Sequence, residues 1–149
     1  MSDLHIDDFY HDAGVILARL YATFPRKTTL YVEDISGPDT PDEFGLHSDR
    51  FSSCFSTMSW LADTGYLRYD STIRQEALDQ AVLTERGFLL LCAPCPLPLK
   101  TAFDANTPPS VIADAKTNIQ QLRAALKSRS SIEIGQIMLF LLDHSRSYR

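Results

Sequence analysis

Two groups of residues have types and spacings that could do chemistry. The first is Cys92-Ala93-Pro94-Cys95, two thiols at the separation found in metal and redox sites. A structural zinc takes four ligands, usually from two such pairs. Only Cys54 and four scattered histidines remain, and they form no second pair. A redox pair needs a thiolate stabilised at a helix N-terminus. This one follows an apolar helical run and sits among Pro94, Pro96 and Pro98. The expectation is structural thiols in a reducing compartment, with no metal and no cofactor. The second group is His5-Ile6-Asp7-Asp8-Phe9-Tyr10-His11-Asp12. On a helix, Asp8 shares a face with His11 and Asp12, which a divalent metal could use. The simpler reading is a cap, a first turn that complements the helix dipole, and an exposed polar face. His47 and His144 stand alone in a loop and at a helix end. The chain has no Gly-x-Ser-x-Gly, no phosphate-cradling glycine run and no His-Glu-x-x-His. No catalytic residue is assigned, and a non-enzymatic protein is expected.

Those residues sit in a chain of 149 residues, long enough for one domain with its own core and without disulfides. Hydrophobic residues make up 44% and charged residues 22%, which excludes wholesale disorder. The densest apolar run, Ile132 to Leu142, falls short of the roughly 20 residues that span a bilayer. The acidic N-terminus lacks the apolar core of a signal peptide, so a cytoplasmic protein without a membrane segment is expected. Net charge is −5 and unevenly spread. Residues 1–48 hold three basic and nine acidic side chains, residues 87–149 seven basic and four acidic. An acidic chain is a poor starting point for nucleic acid, since phosphate contacts supply most non-specific affinity. The basic final third keeps that possibility open.

The pattern predicts elements as follows. Phe9, Ala13, Ile16, Leu17, Leu20, Tyr21 and Phe24 recur at helical spacing, with Asp7 or Asp8 as cap and Pro25 as stop. Thr28 to Val32 reads as a strand, Glu33 to Ser36 as a brief helical turn, and Ser36 to Gly45 as a loop. A second helix runs from about Asp49 to Thr64, capped by Ser48, with Phe51, Phe55, Met58, Leu61 and Ala62 inward and Gly65 ending it. Tyr66 to Tyr69 and Gln80 to Leu83 read as strands around a polar tip, Asp70 to Asp79. Thr84 caps a short helix, Glu85 to Leu91. Thr107 and Pro108 then open a helix with Val111, Ile112, Ala115, Ile119, Leu122 and Leu126 on one stripe. Ser130 and Glu133 make a capping box for a last helix to about His144, apolar on nearly every face.

This order resembles a winged helix-turn-helix domain. The residues that carry the resemblance are Ala62-Asp63-Thr64-Gly65-Tyr66-Leu67 and Leu83-Thr84-Glu85-Arg86-Gly87. Regulators of the MarR and PadR kind end a recognition helix in a Gly-aromatic-Leu step into the first wing strand. Their second wing strand ends in Leu-Thr, with a glycine in the next helix. The resemblance spans residues 9–91 and implies an α+β, mostly helical fold, followed here by two C-terminal helices. It implies a recognition helix from Arg50 to Ala62 and a wing from Asp70 to Asp79. The sequence departs from the pattern in the dozen residues before that helix, which bring Asp39, Asp42 and Glu43 near the DNA-facing side.

The leading expectation is a homodimeric, DNA-binding transcription regulator. Arg50, Ser52, Ser53 and Ser56 would enter the major groove of double-stranded DNA, with Arg68, Arg74 and Gln75 of the wing on the backbone or minor groove. The alternative is a protein-interaction adaptor of the same fold, such as an accessory protein of a phage or mobile element, that does not bind DNA. Three units are expected: a winged helix over 1–91, a stiff proline-rich linker over 92–107, and a helical hairpin over 108–149. The hairpin would pair two chains through Ile119, Leu122, Ile137, Phe140 and Leu141.

Overall fold

The computed structural model describes residues 3–98, 103 and 105–145. Its described elements are α1 (Leu4–Thr23), β1 (Thr28–Tyr31), α2 (Glu33–Ser36), α3 (Asp49–Asp63), β2 (Leu67–Arg68), β3 (Ser71–Ile73), β4 (Ala77–Leu83), α4 (Glu85–Cys92), α5 (Pro109–Ala115), α6 (Asn118–Ser128) and α7 (Ser131–His144). The fold is α+β and mostly helical, with a small antiparallel sheet. No helix among the described residues is long and apolar enough to cross a membrane.

Most local signals act as expected. Ser48 accepts from the Phe51 N–H and caps α3, Thr84 accepts from the Gly87 N–H and caps α4, and Ser130 accepts from the Glu133 N–H and caps α7. Two starts differ. Asp3, not Asp7 or Asp8, is the cap of α1, and α5 begins at Pro109 with Pro108 as cap. The helix expected from Thr107 to Leu126 is two helices, broken at Lys116 and Thr117.

That break explains what happens to the linker. The Cys95 N–H donates to the Lys116 carbonyl, the Asn118 N–H donates to the Ala93 carbonyl, and Pro94 bridges Thr117. The buried Asn118 amide also donates to the Leu90 carbonyl, at 2.8 Å. Residues 93–95 are thus seated on the α5–α6 junction rather than acting as a spacer. Residues 99–102 and 104 of the expected linker lie outside the described residues.

β4 is the central strand. It pairs antiparallel with β1 on one side and with β2 and β3 on the other. The β1 register slips by one residue between Thr28↔Ala81 and Leu30↔Leu78, where Gln80 takes a positive φ of 59°. A bulge of this kind adds one residue and bends the strand.

The core runs through both halves of the chain. Ala13, Ile16, Leu17 and Leu20 of α1 share one buried cluster with Met58 and Leu61 of α3, Leu78 and Leu83 of β4, Ile119 and Leu122 of α6, and Ile134, Ile137, Met138 and Leu141 of α7. Gly14 lets α6 and α7 close on α1, since a Cβ there would stand 3.2 Å from Leu122 Cδ1 and 3.5 Å from Met138 Sδ. The two C-terminal helices therefore share the core of α1 and α3 rather than standing apart as a hairpin. Ile119, Leu122, Ile137 and Leu141 are filled by their own chain, and Phe140 packs half-buried against the same cluster. A helix apolar all round buries its sides wherever apolar neighbours come first. Here α1 and α6 supply those neighbours to α7. The large apolar side chains that α7 leaves outward are Ile132 and Leu139, 72% and 58% exposed.

Candidate functional site

One member of the N-terminal acidic cluster turns inward. Asp12 lies on the buried face of α1, with its side chain 1% exposed. Arg50, at the first turn of α3, meets it with both terminal guanidinium nitrogens, Nη1 to Oδ2 at 2.6 Å and Nη2 to Oδ1 at 2.7 Å. Asp8 approaches Arg50 Nε at 3.7 Å, and His11 Nδ1 lies 3.0 Å from Asp12 Oδ1. Burial pushes the Asp12 carboxyl up. Hydrogen bonds from His11 and Arg50, with the positive charge beside them, outweigh that and hold it below the usual carboxylate value. Asp12 thus leaves the expected exposed face for a bidentate ion pair between α1 and α3, while Asp8 and His11 stay partly exposed. The guanidinium assigned to base reading is held on a carboxylate of the same chain.

The outward side of α3 and the β3–β4 hairpin enclose a groove of about 900 Å³. Ser52, Ser56, Ser59 and Asp63 line one wall, with Phe55 and Trp60 beside them, and Arg74, Gln75 and Glu76 line the other. Gly45, Leu46 and His47 close one end. Of the seven residues expected to meet DNA, Ser52, Ser56, Arg74 and Gln75 come together here. Ser53 and Arg68 are exposed but do not line the groove.

The hairpin tip is held in an uncommon conformation. The Glu76 N–H donates to the Ile73 carbonyl at 2.7 Å, and both central residues, Arg74 and Gln75, have positive φ, 50° and 60°. Such turns favour Asn-Gly, because a Cβ in the left-handed region costs energy. This chain keeps two long polar side chains there instead. Replacing Arg74-Gln75 by Asn-Gly is expected to stabilise the protein by about 1–2 kcal/mol. Urea unfolding reads the difference, and an unchanged or lower midpoint would show that the tip is not strained.

The loop before α3 is also organised. Asp42 Oδ1 accepts from the Phe44 and Leu46 N–H groups at 2.8 and 2.9 Å. That closed turn displays Phe44, 77% exposed, and Leu46, 64% exposed, of which Leu46 lines the groove. His47, expected to stand alone, is clamped. Its Nδ1 is 2.9 Å from Asp39 Oδ2, its Nε2 is 3.2 Å from Glu76 Oε1, and its ring stacks on Phe51 at 3.8 Å. Its partners lie 8 and 29 residues away in sequence, so no local pattern marks it.

The motif that carries the winged-helix resemblance has a local physical cause. Thr84 Oγ1 donates to the Gly65 carbonyl while accepting from Gly87. Arg86 donates to the Thr64 carbonyl at 2.7 Å and lies over the Tyr66 ring, 4.6 Å from its centroid. The Tyr66 and Ser145 hydroxyls are hydrogen-bonded, and Arg86 Nη2 donates to Ser145 at 3.0 Å. These contacts fix the exit of α3 against α4 and the end of α7.

Neither Cys54 nor Cys95 is activated. Burial, with Asp12 close by, pushes the Cys54 thiol up to about 12, and burial also raises Cys95. Among the described residues, no group of three or more His, Cys, Asp or Glu side chains could hold a metal ion. In comparisons with known proteins, no family model, no curated protein and no solved structure matches this chain.

Proposed function

We propose that this chain is a winged-helix module that binds a protein segment in the groove between α3 and the β3–β4 hairpin, as an adaptor rather than an enzyme. The order helix, strand, turn, helix, hairpin, with β4 between β1 and the β2–β3 edge, fits that fold. α3 stands where a recognition helix would. The observation that carries the protein reading is the Arg50–Asp12 pair. It withdraws the one strong base reader from the face of α3. The groove then offers Arg74 against Asp63 and Glu76, with Trp60, Leu46 and Phe55 for apolar contact. Mixed apolar and acidic linings suit a peptide with aliphatic and basic side chains. They oppose phosphate, whose binding needs clustered cations.

DNA binding is the rival, favoured by Arg74 and Gln75 on the same side as Ser52 and Ser56. One pair of assays separates the two. A displayed library of random peptides, selected on the protein, is expected to yield sequences combining basic and aliphatic residues. Their binding should be lost in Ser56→Trp, which fills the groove from an exposed position. Genomic duplex fragments at low salt are expected to show no binding. Duplex binding that weakens steeply with salt and is lost in Arg74→Ala would overturn the adaptor reading for the regulator.

A further inference from the structure

We propose that His47 is a proton-operated latch that fixes the loop over residues 37–48 against the β3–β4 hairpin and so sets the mouth of the groove. The inference rests on the groove being the binding site, but the latch itself is a property of the free chain. Both ring nitrogens of His47 face carboxylate oxygens, Asp39 on the loop side and Glu76 on the hairpin side. An ionised carboxylate only accepts. A neutral imidazole has one N–H, so it can satisfy one of the two and turns a lone pair toward the other. Only the imidazolium donates to both. The arrangement therefore belongs to the protonated ring.

The surroundings agree with that assignment. Asp39 also accepts from the Ser48 N–H at 3.1 Å, which ties it to the cap of α3 and holds its carboxylate in place. Glu33 of α2 and Tyr31 at the end of β1 share a cleft of about 250 Å³ with His47, Asp39 and Glu76. Arg74 and, farther along α3, Asp63 line the larger groove on the other side. The facing charges are thus three carboxylates near the ring against one guanidinium. The Asp39 hydrogen bond first, then that of Glu76 and the charge of both, raise His47 above its ordinary value of 6.5, against some opposition from burial. Asp39 is held low, chiefly by its hydrogen bonds from Ser48 and His47.

The direction follows from that raised value. The latch is closed below the ordinary histidine range and opens as pH rises through the folded value, above 6.5. On opening, the neutral ring keeps the shorter bond to Asp39, 2.9 Å, and gives up the longer one to Glu76, 3.2 Å. The turn carrying Phe44 and Leu46 is then released from the hairpin, while the Asp42 bonds that close that turn remain. A groove edged by a loosened turn holds a segment less tightly, because ordering the loop is then charged to binding.

The test uses the free, full-length chain and NMR. The His47 ring is expected to titrate with a midpoint above 6.5. The amides of Gly45, Leu46, Arg74, Gln75 and Glu76 should move with that same midpoint. Hydrogen exchange over residues 42–48, corrected for its intrinsic pH dependence, should rise roughly tenfold across it, the loss of one charge-assisted bond. In Glu76→Gln, on the exposed hairpin tip, the His47 midpoint should fall. A His47 midpoint at or below 6.5, or loop and hairpin amides that ignore it, overturns the latch whatever the peptide selection returns. If the latch titrates as expected while no peptide is selected, the groove reading fails and the latch stands.

Discussion

Gly87→Ala is expected to destabilise this protein by at least about 3 kcal/mol, the upper end for overpacking a core. A Cβ at residue 87 would stand 2.2 Å from the Tyr66 carbonyl oxygen and 3.2 Å from Leu83 Cδ2. The first of those atoms is backbone, so no side-chain rotation can relieve the contact. The Tyr66 carbonyl also accepts from the Thr84 N–H at 3.1 Å. Moving it would strain the junction where β2 leaves α3 and β4 enters α4. For a chain of this size the loss corresponds to roughly 6–12 °C in Tm. Differential scanning calorimetry measures it, and a melting point within a degree or two of the parent would show that α4 can slide away from β2. Gly87 is the glycine of the Leu83-Thr84-Glu85-Arg86-Gly87 pattern, so the experiment also tests why that pattern exists.

Arg50→Ala should cost about 3 kcal/mol, the lower end for breaking a buried ion pair from one side. The lower end applies because Arg50 is 33% exposed and water can reach its place, although Asp12 beside it is 1% exposed. The cost comes from stranding the Asp12 carboxylate, not from the worth of the pair. Asp12→Ala with Arg50→Ala should therefore be less damaging than Arg50→Ala alone. The pH dependence has a definite sign. The Asp12 carboxyl lies below its ordinary value of 3.8 in the folded chain, so its stabilisation is present above that value and is lost as pH falls through the lowered one. Without Arg50, burial acts with less opposition and the carboxyl rises. The cost of Arg50→Ala should then shrink as pH falls, because protonation neutralises the stranded carboxylate. Urea unfolding of the parent, both single variants and the double variant at several pH values decides it. A double variant as unstable as the two single losses added together would show that Arg50 and Asp12 act independently.

A selective loss of DNA binding in Arg50→Ala with unchanged stability would restore that side chain to the recognition surface. The geometry gives it another task, tying the start of α3 to the middle of α1. The serines of α3 need no such tie, and Ser52 and Ser56 line the groove in the register that their helical spacing predicts.

Much of the fold was determined by local sequence, because local signals need only neighbouring atoms. Ser48, Thr84 and Ser130 cap helices through bonds to residues three positions on. The stripes of α1 and α3 face inward because helical spacing puts them on one side. Ser52, Ser56, Arg74 and Gln75 were placed on one surface by element order alone. Tertiary structure decided the rest, and each case turns on partners far apart in the chain. Asp12 looked like one more exposed acid until Arg50, 38 residues on, reached it. His47 had no neighbour to mark it, since the loop and the hairpin that clamp it meet only in space. The apolarity of α7 showed that it must be buried, but hydrophobic attraction has no direction. Which neighbours surround Ile137 and Leu141 is decided by α1 and α6 packing against α7, contacts that no periodicity encodes.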